Sequence, residues 1–385
     1  MLLTMKDKVL KKQGFLCLAA TLALTSYADQ VETNKSNEND STPFPQYLHE
    51  DIKIPAASAD EPLLTTFSLK KAGDYLENGA IAWTRKRKCV SCHTTGTYMQ
   101  VRPLLSEVLG KPSTEIRNLF VEQLERFQSM DANESREGAN PAQVVYIAAG
   151  LAEWDRQITG KLSPPTKQAL NLMLSLQEDN GTWGSETTWP PLESSEFQEA
   201  TVAAMAVTTA PGWLENLKDE DLRQGVTRLH GYLRETIPPH NYGRVVLLWA
   251  ATRMPNLIPK SRKQKIVRMI KKHQRKDGGW SIRSFATPEE WGEGNRAEKL
   301  REELDFNNPS SDGHMTGLAL LVLRAAGVSK EKKFIQRGVE WLKANQRESG
   351  RWWTRSLNTE KRHYITYTGT AYPLLALMKC DALDP

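Results

Sequence analysis

A seven-residue pattern that recurs three times constrains this chain of 385 residues more than any other feature of its sequence. Segments 177–183, 274–280 and 346–352 all have the form Q-x-x-x-G-x-W. In each copy an amphipathic helix is predicted before the Gln, and a loop leads from the Trp into a more apolar helix. Such recurrence indicates a repeat architecture, in which one supersecondary unit is used several times.

Physical chemistry gives each fixed position of the pattern a role. The Gly can end the preceding helix in a left-handed turn, a conformation that strains other residues. The Gln amide can bond backbone groups that are left free at that helix end. The Trp ring can pack across the junction between the two helices. The repeats thereby account for the high Trp count of 11.

The three segments resemble the repeats of the squalene cyclase and protein prenyltransferase superfamily, over about residues 64–380. The resemblance implies an all-α fold, an α/α toroid in which each helical hairpin contributes one outer and one inner helix. Helical periodicity gives room for about six hairpins, enough to close a ring. Outer helices are expected near 66–88, 114–130, 163–177, 219–235, 259–274 and 331–346. Inner helices are expected near 98–109, 141–154, 197–208, 242–253, 314–326 and 365–378.

The polar stretch 281–312 does not fit this repeat. It predicts an insertion over one mouth of the toroid, with Trp291 as its apolar anchor. The segments predicted to be inner helices are apolar nearly all round, and such helices belong inside a protein.

The chain begins with the pattern of a secretory signal at residues 1–28, where four Lys residues precede an apolar run and a cleavage site of small residues. A short membrane anchor is the alternative. Residues 29–62 are polar and predict a flexible tether, and 63–385 would form the toroid domain. The protein is therefore expected to be periplasmic or secreted, with no membrane span after cleavage. Removal of the signal lowers the formal net charge from +5 to about +2, and no nucleic-acid-binding motif is present.

Residues 89–93 have the form C-x-x-C-H, which in an exported protein predicts a c-type haem site. Cys89 and Cys92 could add to the two vinyl groups of one haem, and His93 would then be an axial ligand of the iron. A disulfide or free dithiol is one alternative, and a zinc site completed by a ligand from elsewhere is another. Candidate sixth ligands of the iron are Met99, His240, His314 and His363, although Met99 is more easily explained as core packing.

The resemblance also poses the question of cyclase chemistry. Squalene-hopene cyclases protonate their substrate with the central Asp of a D-x-D-D-T-A motif that opens an inner helix. The nearest match here keeps Asp312 and Thr316 but has His314 at the central acid. An imidazole is a far weaker acid than a carboxylic acid and is poorly suited to protonating an alkene. Glu199 holds an analogous position in another hairpin, without flanking acids. The zinc ligands of protein prenyltransferases are also missing, because no Cys lies between Cys92 and Cys380.

Three functions follow from these features. The first is an exported toroid protein with covalent haem c, active in electron transfer or in haem-assisted chemistry on a small-molecule, lipid or glycan ligand, with a redox partner. The second is an enzyme without haem, either terpene cyclase-like or a carbohydrate-active lyase or hydrolase, with Glu199, Asp312 and His314 as catalytic candidates. The third is a binding scaffold without catalysis.

Overall fold

In the computed structural model of the protein, the described residues are 44–184, 189–193 and 195–384. The predicted signal, residues 1–28, lies outside them, as do residues 29–43 of the predicted tether. Two short strands, β1 Tyr47–His49 and β2 Ile52–Ile54, pair antiparallel. The helices that follow are α1 Leu69–Arg87, α2 Thr97–Val101, α3 Ser106–Leu109, α4 Thr114–Ser129, α5 Asn140–Trp154, α6 Pro164–Ser175, α7 Glu196–Thr209, α8 Glu220–Glu235, α9 Asn241–Arg253, α10 Lys260–Lys272, α11 Ala297–Glu302, α12 Gly313–Ala325, α13 Lys333–Ala344 and α14 Ile365–Lys379.

Six of these helices form a closed inner ring. Around the ring, α2 contacts α5, α5 contacts α7, α7 contacts α9, α9 contacts α12, α12 contacts α14, and α14 returns to α2. The other long helices lie outside, with α1 on α14, α4 on α5, α6 on α5 and α7, α8 on α7, α10 on α9, and α13 on α12. The predicted all-α fold, an α/α toroid of helical hairpins, is confirmed.

The two kinds of helix differ in which faces they bury. In inner α12 every residue from Gly313 to Leu323 is buried, as expected of a helix that packs on all sides. Outer α8 buries only Gly225, Leu229 and Leu233, a single stripe at four-residue spacing that faces the ring. The apolar pattern of the sequence thus decides which helix of each hairpin lies inside.

The first inner helix is not the continuous helix expected near 98–109. It begins with a π-helical turn at Cys92–Gly96, continues as α2 and a 3-10 turn at Arg102–Leu105, and ends with α3. Pro103 contributes to this interruption because it has no N–H to donate to the helix. The C-x-x-C-H motif consequently runs directly into the inner helix.

The Gln of each repeat ties its hairpin to the next one around the ring. Gln177 donates from Nε2 to the carbonyl oxygen of Gly225 in α8, and Gln274 donates to that of Phe334 in α13. Gln346 donates to the carbonyl of Ser68 at 3.0 Å and accepts from the Ser68 N–H at 2.7 Å. Ser68 is the N-cap of α1, so this third copy joins the last hairpin to the first.

The Gly and Trp positions have related roles. The repeat glycines have left-handed φ values of +95°, +99° and +90°, but they lie in the loop several residues beyond the outer helix and do not end it. Each repeat Trp is buried, and its indole N–H donates to the carbonyl ten residues earlier, in Met173, Ile270 and Leu342 respectively. The repeat glycines and the repeat tryptophans together fix the path of the chain from the outer to the inner helix.

The prediction of a flexible tether at residues 29–62 is wrong for residues 44–62. The β1–β2 hairpin contacts α1, and Tyr47 is buried. Glu61 pairs with Nε of buried Arg351 at 2.8 Å, and Arg351 also donates to the carbonyl oxygens of Pro55 and Ala56. The polar composition of residues 44–62 did not indicate this packing. The packing depends on Arg351 of the last hairpin, which is distant in sequence.

Residues 281–312 connect outer α10 to inner α12 through 3-10 turns and α11. Trp291 is fully buried, with its ring centroid 4.9 Å from that of His240 and 5.5 Å from that of Tyr242. A buried ion pair between Arg283 and Glu303 holds the insertion together. Because His240 and Tyr242 open α9, the insertion lies over the N-terminal ends of the inner helices. In the part of the chain that the structure describes, no helix is both long and apolar enough to cross a membrane.

Substitution of Gly278 by Ala tests the repeat turn. A Cβ at this position would lie 2.6 Å from the carbonyl oxygen of Arg337, on a backbone with φ +99°. We expect the free energy of unfolding, measured by urea denaturation, to fall by about 1–3 kcal/mol. Gly231→Ala is the matched control, since its Cβ meets nothing within 4 Å in α8, and it should gain about 0.5–1 kcal/mol. Equal effects of the two changes would contradict the role of the turn.

Substitution of Arg351 by Met tests how firmly the N-terminal segment is attached. The change leaves the largely buried Glu61 carboxylate without its charged partner, so the free energy of unfolding should fall by about 3–5 kcal/mol. The control is Lys330→Ala, which breaks the exposed Lys330–Asp381 pair and should cost about 0–1 kcal/mol. A loss for Arg351→Met no larger than that of the control would show that the segment is not part of the folded core.

Candidate functional site

The C-x-x-C-H motif lies at the mouth of the ring formed by the N-terminal ends of the inner helices, here called the N-terminal mouth. Helix α1 ends at Arg87, and Lys88 follows with a left-handed φ of +51°. The Trp83 indole N–H donates to the Cys89 carbonyl at 3.1 Å and fixes the turn into the motif. Cys92 then begins the π-helical turn, in which the Thr97 hydroxyl donates to the Cys92 carbonyl at 2.8 Å.

Both motif cysteines are free thiols, so the structure does not contain the disulfide alternative. Burial raises the pKa of the Cys89 thiol. Burial, followed by the facing Glu193 carboxyl, raises the pKa of Cys92 well above its usual value. Burial likewise raises the pKa of the Glu193 carboxyl. Within the described residues, no group of three or more His, Cys, Asp or Glu side chains could hold a metal ion, so the zinc alternative lacks a ligand set there.

His93 lies in a crevice with aromatic walls. Its ring stacks on Tyr364 at a centroid distance of 4.9 Å and meets the edge of Trp83 at 4.8 Å. Desolvation by burial lowers the pKa of His93 to about 3, so the imidazole is neutral, yet the side chain keeps some accessible surface. Nδ1 lies 2.7 Å from Oγ1 of Thr94, and no described residue hydrogen-bonds Nε2.

These features fit the requirements of a c-type haem at the level of donor chemistry. Attachment needs two reduced thiols at C-x-x-C spacing, and Cys89 and Cys92 provide them. An axial imidazole must be neutral and must have one nitrogen unbonded while the other is held by a neighbour. His93 meets both conditions.

Two of the candidate sixth ligands, His314 and Met99, already have structural roles. His314 is fully buried, with Nδ1 2.6 Å from the Thr368 hydroxyl and Nε2 3.2 Å from the Tyr242 hydroxyl. Because Thr368 donates its own proton to the Ile365 carbonyl, His314 must donate from Nδ1 and accept at Nε2. Met99 is buried in α2, and its Cβ lies beside Gly150 of α5, in agreement with core packing.

The other two candidates also have structural partners. His240 is the N-cap of α9, where Nδ1 accepts from the Gly243 N–H at 2.9 Å. His363 accepts at Nδ1 from the Ser356 N–H at 3.1 Å, and its ring packs against Trp353. Burial lowers the pKa of each imidazole to about 4. His363 is adjacent in sequence to Tyr364, whose ring stacks on that of His93.

Asp312 and Glu199, the carboxylates proposed for cyclase chemistry, are both buried. Asp312 is the N-cap of α12, and its oxygens accept from the backbone N–H groups of Met315 at 2.8 Å and Ile282 at 2.6 Å. Both oxygens are therefore used to hold the insertion to the helix. Glu199 is buried in the first turn of α7, and its charge influences the Cys92 thiol.

The sequence did not single out several side chains that surround the motif. Thr94 follows the motif directly, whereas Tyr47, Glu193 and Tyr364 come from distant parts of the chain. Tyr47 lay in a segment predicted to be unstructured, and Glu193 belongs to a short described stretch, 189–193, between repeat and helix. Only the adjacency of Thr94 was a signal that sequence reasoning could have used.

The N-terminal mouth is covered by several connecting segments. Asn358 donates from Nδ2 to the Pro190 carbonyl at 2.7 Å, and the Arg296 guanidinium lies over the Trp189 ring at 5.8 Å. The Tyr146 hydroxyl donates to the Leu192 carbonyl at 3.1 Å. Stretch 189–193 is thus held by α5, the insertion and the loop before α14.

A small cavity lies toward the opposite mouth, near the C-terminal ends of α5, α7 and α9. It is lined by Gln100, Ala149, Glu153, Met205, Thr209, Trp249 and Arg253. Arg253 pairs with the buried Glu153 carboxylate at 2.6 Å and donates to the Thr209 hydroxyl at 2.7 Å. None of the predicted site residues lines it.

The family comparison agrees with the fold over the C-terminal part of the chain. Residues 239–382 match the family model of the squalene-hopene cyclase C-terminal domain. Among solved structures, a variant of the type II terpene cyclase MstE from Scytonema, in complex with its substrate geranylgeranyl dihydroxybenzoate, aligns with a TM-score of 0.43 and 13% identity. That alignment covers 82% of this chain and 99% of the other, but it is too distant to carry a functional conclusion. No curated protein matches the chain significantly.

The depressed pKa of His314 predicts an acid-sensitive fold. Burial lowers this pKa from 6.5 to about 3, so between these values the unfolded chain binds a proton that the folded chain does not. The contribution to stability is complete above pH 6.5 and is lost as the pH falls toward 3. We expect His314→Gln to reduce the slope of unfolding free energy against pH in this window by up to about 1.4 kcal/mol per pH unit. His230→Gln, on outer helix α8, is the control, and equal slopes in the two variants would contradict the assignment.

Proposed function

We propose that this protein is an exported α/α-toroid protein that binds a c-type haem covalently and uses it in electron transfer or haem-assisted chemistry. The observation that carries the proposal is the state of His93. It is a neutral imidazole with Nε2 unbonded by any described residue, directly after two free thiols. A metal-binding imidazole needs this arrangement, whereas a histidine that serves only packing more often has both nitrogens satisfied, as in His314.

The two cysteines and the histidine of the motif would have separate roles in haem attachment. Each thiol would form a C–S bond by addition across one vinyl group, and its hydrogen would go to the neighbouring vinyl carbon, so that no external oxidant is needed. When bound, the haem would supply a one-electron redox centre. Nε2 of His93 would hold the iron, and Trp83 and Tyr364 would limit the access of water to it. A redox partner would approach the N-terminal mouth.

The C-terminal match to a cyclase domain keeps a second function open, a terpene cyclase-like enzyme. The surroundings of Asp312 and His314 do not favour it. Asp312 uses both oxygens on backbone N–H groups, and the position of the central acid is filled by His314, whose nitrogens are both hydrogen-bonded. The small cavity at the opposite mouth is lined by an ion pair and contains no candidate acid from the sequence. The lyase, hydrolase and scaffold alternatives have no specific support among these contacts.

The proposal predicts a covalent haem spectrum. The full chain would be expressed in a host with c-type maturation machinery, purified, and examined by absorption spectroscopy and by haem staining on a denaturing gel. We expect a Soret band, a sharp α-band after reduction, and stain that stays with the polypeptide. The Cys89→Ala/Cys92→Ala variant should lose the covalent stain entirely.

Cys380→Ala provides the matched control, because Cys380 is also a buried free thiol but lies at the end of α14. It should keep the full stain. A colourless wild-type protein, or equal staining of the wild type and the double variant, would exclude covalent haem on this motif.

A further inference from the structure

A chain of two hydroxyl groups leads from His93 to the N-terminal hairpin. Nδ1 of His93 lies 2.7 Å from Oγ1 of Thr94, and that oxygen lies 2.8 Å from the hydroxyl of Tyr47. Thr94 is fully buried and Tyr47 is 3% exposed. No other hydrogen bond to either hydroxyl is present among the described residues. The three groups must therefore satisfy one another.

Counting protons selects a direction for this chain. Thr94 and Tyr47 each carry one hydroxyl proton, and a buried proton without an acceptor costs free energy. If Tyr47 donates to Thr94 and Thr94 donates to Nδ1, both hydroxyl protons are used. If instead Nδ1 donates to Thr94, one of the two hydroxyl protons has no acceptor. The first arrangement requires that Nε2 of His93 carries the ring proton, and water can accept this proton because the His93 side chain, unlike Thr94 and Tyr47, keeps some accessible surface.

The Tyr47 ring is held in place by its packed neighbours. Its ring lies 5.4 Å from that of Tyr364 and 6.1 Å from that of Tyr367. Gly79 of α1 permits the close approach, since a Cβ there would lie 3.3 Å from the Tyr47 ring. Neighbouring Gln46 accepts from the Tyr75 hydroxyl and donates to the carbonyl of His363. The N-terminal hairpin is thus part of the environment of the motif.

We propose that Thr94 is a positioning residue for His93, with the Tyr47 hydroxyl as the donor to the Thr94 oxygen. This inference rests on the proposed function for its biological role, but its chemistry belongs to the chain itself. Without haem, Thr94 donates to Nδ1 and holds the Nε2–H tautomer. If Nε2 were to hold iron, the ring proton would lie on Nδ1, and the Thr94 oxygen would be the acceptor that orients the ring.

The tautomer of His93 can be measured in the full chain without haem, expressed in a host that lacks c-type maturation. Long-range proton–nitrogen NMR of ¹⁵N-histidine-labelled protein distinguishes Nε2–H from Nδ1–H, with His93 assigned by its loss in His93→Ala. We expect one Nε2–H tautomer in the wild type. Thr94→Val removes the hydroxyl at nearly constant shape, so both tautomers should be detected. Thr94→Ser restores the hydroxyl and should restore the single tautomer.

Tyr47→Phe should keep the Nε2–H tautomer, because Thr94 can still donate to Nδ1. A wild-type signal from Nδ1–H, or an unchanged signal in Thr94→Val, would overturn the inference. A shift in Tyr47→Phe as large as that in Thr94→Val would also overturn it, since Thr94 would then not be the direct partner.

A second readout uses the protein from the host that attaches haem. Loss of a hydrogen bond to the distal nitrogen of an axial imidazole lowers its basicity, so Thr94→Val should raise the reduction potential relative to the wild type and to Thr94→Ser. Equal potentials in the three proteins would contradict the positioning role. If the wild type binds no haem, the proposed function fails while the tautomer measurement still decides the role of Thr94.

Discussion

Closure of the ring between Gln346 and Ser68 is the contact on which the rest of this structure depends. Open-ended helical repeats expose the apolar faces of their terminal units, whereas a closed ring has no terminal unit. The same Gln amide joins repeats at two other places, through Gly225 and Phe334. The Gln side chain of the repeat therefore links neighbouring hairpins and also closes the ring, because its amide reaches a backbone group on the neighbouring outer helix.

The site follows from this closure. The starts of α2, α9, α12 and α14 meet at one mouth, and the connecting segments cover it. Aromatic rings and imidazoles fill the described part of the interior, and two solutions to burial recur there, ion pairing and loss of charge. Arg351 with Glu61, and Arg283 with Glu303, show the first solution. The depressed pKa values of His93 and His314 show the second. The neutral state of His93 is thus a consequence of desolvation as much as of its position in the motif.

Much of the fold could be predicted from the sequence, because helical periodicity and the repeat are local signals. Helix α5, for example, was expected at 141–154 and occupies Asn140–Trp154. The interruption of the first inner helix at Pro103 and the packed hairpin around Tyr47 were not predicted. The site was predicted only where its residues are adjacent in sequence. The partners of His314 and of Thr94 depend on contacts across 47 to 72 residues, which no local pattern encodes.

The large sequence separation of the contact that closes the ring determines when the ring can form during folding. Gln346 and Ser68 are 278 residues apart, so the ring cannot close until nearly the whole chain is available. Contacts of such separation form late in folding, since the entropy of loop closure opposes them. Cys92 is buried in the closed ring, and its thiol faces Glu193. On the proposed function, any enzyme that modifies this thiol would have to act on the emerging N-terminal part of the chain before the last hairpin docks.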